Sequence, residues 1–158
     1  EVGEIYMLPA TGPGSTFSYR GAERRVTADG WESVGDMGWL DAEGYLFIAD
    51  RRTDMILCGG RNIYPAEIEA ALNAHPAVRS SVVIGLPDDD LGQRIHAIVE
   101  THGVTDEALR AHLKERLVPY KWPHSFEYTG TPLFNEAGKV RRSALREERL
   151  QKASLRPA

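Results

Sequence analysis

Apolar and polar residues along the chain fall into blocks whose period changes. Residues 4–8 (EIYML) read as a strand, and Pro9–Ser15 as a turn-rich loop punctuated by Gly12, Pro13 and Gly14. A weakly patterned segment follows to Gly30. Glu32–Leu40 and Tyr45–Ala49 are extended runs on either side of Asp41-Ala42-Glu43-Gly44. There the Asp carboxylate accepts backbone hydrogen bonds and Gly takes positive φ, so a hairpin is predicted. Met55–Leu57 and Arg61–Ile63 flank Cys58-Gly59-Gly60 and predict a second hairpin, narrow and mobile. Pro65 stands where a first helical residue loses nothing by lacking an N–H, with Glu67 and Glu69 near the positive end of the helix dipole. Ile68, Ala71 and Leu72 give this helix its apolar face, and it should end near His75-Pro76.

Arg79–Leu86 and Ile95–Thr101 are rich in β-branched residues, are joined by the acidic turn Pro87–Gly92, and should pair in one sheet. Thr105 is the expected N-cap of a helix whose Leu109, Leu113 and Leu117 form one stripe, closed by Pro119. Phe126–Tyr128 reads as a third strand, Thr131–Gly138 as a loop and Arg142–Ala153 as an amphipathic helix carrying Leu145 and Leu150. The fold class is α+β: a β-rich opening, then a small unit with a β-hairpin and a three-stranded sheet flanked by helices.

With 158 residues, 42% of them hydrophobic, the chain is long enough to fold without staples; such a length buries about 68–70% of its unfolded surface. A net charge of −4 argues against a dedicated nucleic-acid binder. No apolar run approaches the roughly 18–20 residues that cross a bilayer. Cys58 is the only cysteine and no opening stretch pairs basic residues with an apolar run, which fits a reducing cytoplasm. Residues 1–50 hold three basic and nine acidic side chains, against 16 and 14 in 51–158, and this asymmetry suggests two parts. The opening has no initiator Met and reads as the middle of a strand, so a fragment is expected.

The five histidines (75, 96, 102, 112 and 124) and Cys58 show no metal-ligand spacing, so a zinc site has no support. His96 and His102 stand at even separation and fit a structural role on one strand face. Gly12-Pro13-Gly14-Ser15-Thr16 resembles a phosphate cradle but lacks the lysine that follows such glycines, and reads as a turn. No nucleophile elbow and no Cys–His pair supports hydrolase chemistry.

The sharper signal is an ordered series: Gly35-Asp36-Met37-Gly38; Asp41-x-x-Gly44-Tyr45; Arg51-x-x-Asp54-Met55-Ile56; Gly59-Gly60-x-x-Ile63-x-Pro65-x-Glu67-Ile68-Glu69; and Gly138-Lys139-Val140-x-Arg142. In these residues the sequence resembles the adenylate-forming superfamily of acyl-CoA synthetases, adenylation domains and beetle luciferases, over nearly the whole chain. The resemblance implies that 1–50 finish a large, β-rich adenylation domain and that 51–158 form the small, mobile C-terminal domain. It also implies the reaction. A carboxylic acid, a fatty acid in the nearest-looking relatives, attacks the α-phosphate of ATP, and the acyl-adenylate passes its acyl group to coenzyme A. Magnesium would be held by the substrate phosphates, with no ligand identified here. The phosphate loop and the acyl pocket of the family lie upstream, so the chain alone should be inactive. An adenylation domain that loads a carrier protein shares every motif, and a non-catalytic binding module that retains the fold is the alternative of another class.

By the same resemblance Asp36 matches the ribose-binding aspartate, whose two oxygens accept both hydroxyls of a diol; read alone, it is also a turn Asp. Arg51 matches an arginine that holds ribose or phosphate oxygens. Arg52, read as solvated surface, and Thr53 mark the hinge; relatives usually carry Asp or Lys where Thr53 stands. Lys139 corresponds to the catalytic lysine, against the plain reading of a surface lysine. Gly59 and Gly60 resemble a loop lining the pantetheine passage, or simply make a tight turn. Cys58 has no base beside it and reads as a packed thiol. Tyr120 and Lys121 fall where relatives touch the nucleotide end of coenzyme A, with core packing as the alternative for the aromatic residues. Seven Lys/Arg between Lys139 and Arg156 against two Glu read most simply as a solvated helix face, with screening of triphosphate or coenzyme A charge as the alternative.

Overall fold

The computed structural model describes residues 1–12 and 25–154. The Pro13–Thr16 part of the cradle-like turn and Arg156 of the basic tail lie outside them. The chain divides into two compact units, Glu1–Thr53 and Asp54–Ala158.

The first unit is a four-stranded antiparallel sheet: β1 (Gly3–Met7), β2 (Arg25–Val26), β3 (Glu32–Leu40) and β4 (Leu46–Arg51). β3 is its centre, flanked by β1, β2 and β4. The β3–β4 turn forms as read: Asp41 Oδ1 accepts the N–H groups of Glu43 and Tyr45, and Gly44 takes φ 86°. β4 runs to Arg51, so its last residue faces Asp36 across the ladder.

The second unit begins with the hairpin of β5 (Ile56–Cys58) and β6 (Arg61–Ile63). Gly59 and Gly60 take φ 56° and 74°, which is the two-residue connection that matches strand twist. The hairpin is joined to the rest. Cys58 pairs with Gly92, Gly59 donates its N–H to the Leu91 carbonyl, and Leu57 donates to Gln93 Oε1. The sequence reading of a separate hairpin beside a three-stranded sheet therefore becomes one five-stranded sheet.

That sheet is built on β7 (Val78–Asp88) and β8 (Gly92–Thr101), paired antiparallel through Asp88↔Gly92, so the acidic turn is shorter than its sequence suggests. β9 (Ser125–Thr129) runs parallel to β8. Helices α1 (Pro65–Asn73) and α2 (Asp106–Lys114) cover one face and α3 (Arg142–Ser154) the other. Val83, Ile95, Ala97 and Val99 join Ile68, Leu72, Leu109 and Leu113 in one core cluster. Alternate residues Val82, Ile84, Leu86 and Ile98 form the second, against Leu133, Phe134, Val140, Leu145 and Leu150. Burial on both faces explains why Ser81–Leu86 is continuously buried. Thr105 caps α2 by accepting from Ala108, while Leu117 lies past the helix end and is still buried. Among the described residues no helix is long and apolar enough to cross a membrane.

Candidate functional site

Lys139 sits at the exit of a tight turn between β9 and α3. Asn135 Oδ1 accepts the N–H groups of Ala137 (3.0 Å) and Lys139 (2.9 Å), and the Asn135 N–H donates to the Lys139 carbonyl at 3.0 Å. Gly138 occupies φ 66°, a conformation that penalises a Cβ. Phe134 and Val140 pack on the second core cluster, which pins the backbone on both sides of the turn. The lysine side chain itself is exposed. It lines an open groove of about 380 Å³ with Phe134, Val140, Arg141 and Leu145. Among the described residues Lys139 has no carboxylate partner, whereas Lys121 pairs with Glu67 and Lys152 with Glu148.

The basic face of α3 is not simply solvated, which corrects the sequence reading. Arg149 Nη2 lies 2.8 Å from Glu127 on β9, and Arg146 Nε donates to the Gly85 carbonyl at 2.9 Å. Arg142 Nη2 reaches both Glu69 oxygens (2.9 and 2.7 Å), while its Nη1 lies 3.1 Å from Asp54 Oδ2. Glu69 Oε1 also accepts the Val83 N–H at 2.8 Å. β7 has β8 as its ladder partner, so its other edge presents backbone groups that α1 and α3 satisfy with charged side chains.

At the hairpin, the Arg61 guanidinium stacks 4.4 Å from the centroid of Tyr120, bringing the residue after Gly60 to the predicted aromatic-basic pair. Tyr120 and Lys121 lie in a single 3₁₀ turn, Pro119–Lys121, and Tyr120 is exposed rather than packed in the core. The Lys121 ammonium is 2.6 Å from both Glu67 oxygens. Cys58 is buried, and burial followed by the charge of Asp88 pushes its thiol pKa up, away from the reactive thiolate.

In the first unit Asp36 and Arg51 are opposite in the β3–β4 ladder, with Arg51 Nε 3.2 Å from Asp36 Oδ1. Arg52 is exposed, as its sequence reading has it; its side chain lies 3.6 Å from Glu4 and its N–H donates to the Gly35 carbonyl at 2.8 Å. Thr53 is exposed, in the turn that ends the unit, three residues beyond the sequence boundary.

The sequence reading gives His96 a structural role but does not find its partners. His96 Nδ1 lies 2.8 Å from Ser125 Oγ and Nε2 3.4 Å from Glu127, itself bonded to Arg149. Burial lowers the His96 pKa against the raising effect of Glu127. The Glu127 pKa is held down first by the Arg149 hydrogen bond. His102 lies beyond β8 and is exposed, so the two histidines do not share a strand face.

Residues 67–133 match the family described as AMP-binding enzyme C-terminal domain. The second unit is an AMP-binding enzyme C-terminal domain. The 2-succinylbenzoate–CoA ligase of Bacillus velezensis is 49% identical to this chain over 130 residues, covering 81% of the chain and 26% of that protein. The o-succinylbenzoate CoA synthetase of Bacillus subtilis, solved with its acyl-adenylate intermediate, superposes with a TM-score of 0.75 at 35% identity. That match covers 92% of this chain and 30% of that one. A Mycobacterium tuberculosis fatty acyl CoA synthetase gives a TM-score of 0.66 at 38% identity, over 80% of this chain and 26% of that one. The chain thus spans under a third of the relatives it matches. In this AMP-binding C-terminal domain the matched residues begin at Glu67 and stop short of Lys139.

Proposed function

We propose that this chain is the C-terminal portion of an ATP-dependent, AMP-forming ligase that joins a carboxylic acid to coenzyme A. In the first half-reaction a carboxylate oxygen attacks the α-phosphorus of ATP, and the bond to the bridging oxygen breaks to release pyrophosphate. In the second the coenzyme A thiol attacks the acyl carbon and AMP leaves. The observation that carries the reading is Lys139: its backbone is fixed by the Asn135 turn, while its ammonium is exposed and unpaired among the described residues. A cation presented this way suits charge that develops on the α-phosphate, because its orientation is set before the reaction begins.

The other roles follow the resemblance. Asp36 takes the ribose hydroxyls, and Arg51 beside it holds ribose or phosphate oxygens. Thr53 is the pivot between the end of the large domain and the mobile small one. Gly59 and Gly60 give a hairpin tip without side chains, thin enough to approach a pantetheine arm. Tyr120, with Arg61 stacked on it, meets the nucleotide end of coenzyme A, and Lys121 reaches a phosphate there only by leaving Glu67. The fatty-acid expectation is narrower than the relatives support, since both 2-succinylbenzoate and fatty acyl ligases are among them. The substrate is a carboxylic acid selected by residues outside this chain.

The test is Lys139→Ala in the full-length parent. Pyrophosphate release from ATP and acid should fall by about 10²–10³, the typical effect of removing one preorganised charge donor. Thioester formation from supplied acyl-adenylate should stay within about threefold. Near-normal pyrophosphate release would overturn the assignment.

A further inference from the structure

Asp54, Glu69 and Arg142 belong to the ordered motifs but have no role in the nucleotide reading. They come from α1, α3 and the turn before β5, and they meet in one ionic cluster. Arg142 is the first residue of α3, three positions after Lys139, and it bridges Glu69 of α1 to Asp54. Glu69 is 8% exposed and is further fixed by the Val83 N–H. Asp54 immediately follows Thr53 and opens the second unit. From Asp54 to Arg142 is 88 residues along the chain and 3.1 Å in space.

We infer that Arg142 is a positioning residue that couples the segment just after Thr53 to the Lys139 turn. The inference rests on the proposed role of Lys139. A planar guanidinium holds two carboxylates in fixed directions, which a flexible ammonium does not. The end of the Lys139 turn is thereby tied to the first residue of the unit. Rotation of the backbone at Thr53 reaches Lys139 through an ion pair as well as through the sheet. A bridge of this kind keeps the lysine at one distance from the pivot, and misplacement by about 1 Å at a reacting centre costs on the order of 10²-fold.

The experiment uses the full-length parent and compares Arg142→Met, Arg142→Lys, Asp54→Asn and Lys139→Ala. Arg142→Met should lower kcat for pyrophosphate release about 10–100-fold, with KM for ATP and thioester formation from supplied acyl-adenylate each within about threefold. Arg142→Lys should recover only part of the loss. Asp54→Asn keeps the Glu69 contact and the fold, and should lower the same kcat about tenfold. In both Arg142→Met and Asp54→Asn, amide exchange at Ala137 and Lys139 should quicken. Equal loss of both half-reactions in Arg142→Met, or unchanged kcat and exchange in Asp54→Asn, would overturn the coupling. If Lys139→Ala keeps pyrophosphate release, the catalytic reading fails instead, and the exchange rates alone decide whether Arg142 holds the turn.

Discussion

His96 shows what one buried titratable side chain does to this fold. Its partners are Ser125 and Glu127, with the Arg149 and Arg94 charges nearby opposing its protonation. Because burial lowers its pKa, the folded protein favours the neutral ring. The stability this gives is complete above the ordinary histidine value of 6.5 and is lost as pH falls below it toward the folded value. Glu127, whose pKa is also lowered, adds a loss at still lower pH. The thermal midpoint should therefore drop between pH 7.5 and 5, and His96→Gln should flatten that drop; an unchanged slope in the variant would exclude His96 as its source. The strand position of His96 was legible from its neighbours, but its partners lie 29 and 31 residues away on a parallel strand that no local pattern registers. The expectations for Lys139 and Asp36 rest only on the order of several short motifs, which no local pattern around either residue replaces. The Asn135 turn had a plain local signal in Asn-x-x-Gly, a side-chain acceptor followed by a residue that tolerates positive φ.

Elements in the second unit were read well where one period dominated. α2 is such a case: Thr105 caps it, and Leu109 and Leu113 are fully enclosed. Thr105→Ala should cost about 1 kcal/mol and Leu109→Ala about 2–5 kcal/mol, read from urea midpoints at unchanged slope. The contrast matters, since a smaller loss at Leu109 than at Thr105 would mean that α2 is held by its cap rather than its core. The hairpin tip obeys a different constraint. An added Cβ at Gly60 meets nothing within 4 Å, yet φ is 74°, so Gly60→Ala should cost about 1–2 kcal/mol through the backbone alone. What the sequence concealed is how elements join. Two hydrogen bonds and one bridge pair fasten the hairpin to β8, and these depend on Leu91, Gly92 and Gln93 rather than on hairpin residues. The inward arginines of α3 were hidden for a similar reason, because charge on a helix reads as solvent-facing until a sheet edge needs donors.

The two units differ in what holds them together. Ile56, Ile63, Ile68, Leu72, Leu109 and Leu113 are each essentially inaccessible, and the second unit closes a core on either face of its sheet. In the first unit Met37 is the buried apolar residue among those described, while Leu40, Tyr45, Leu46, Phe47 and Ile48 are exposed by 43–67%. A β-sheet with a bare apolar surface does not recover the conformational entropy of ordering some fifty residues, at about 1–2 kcal/mol each for the backbone. The charge asymmetry between 1–50 and 51–158 hinted at this division, but charge cannot report which half has a core. Residues 54–158 expressed alone should unfold in one cooperative transition, with dispersed amide resonances. Residues 1–53 alone should give the spectrum of an unfolded chain and should gain structure only when the remainder of the parent is supplied in trans. Cooperative folding of 1–53 by itself would show that its exposed strand residues are a finished surface rather than one that requires covering.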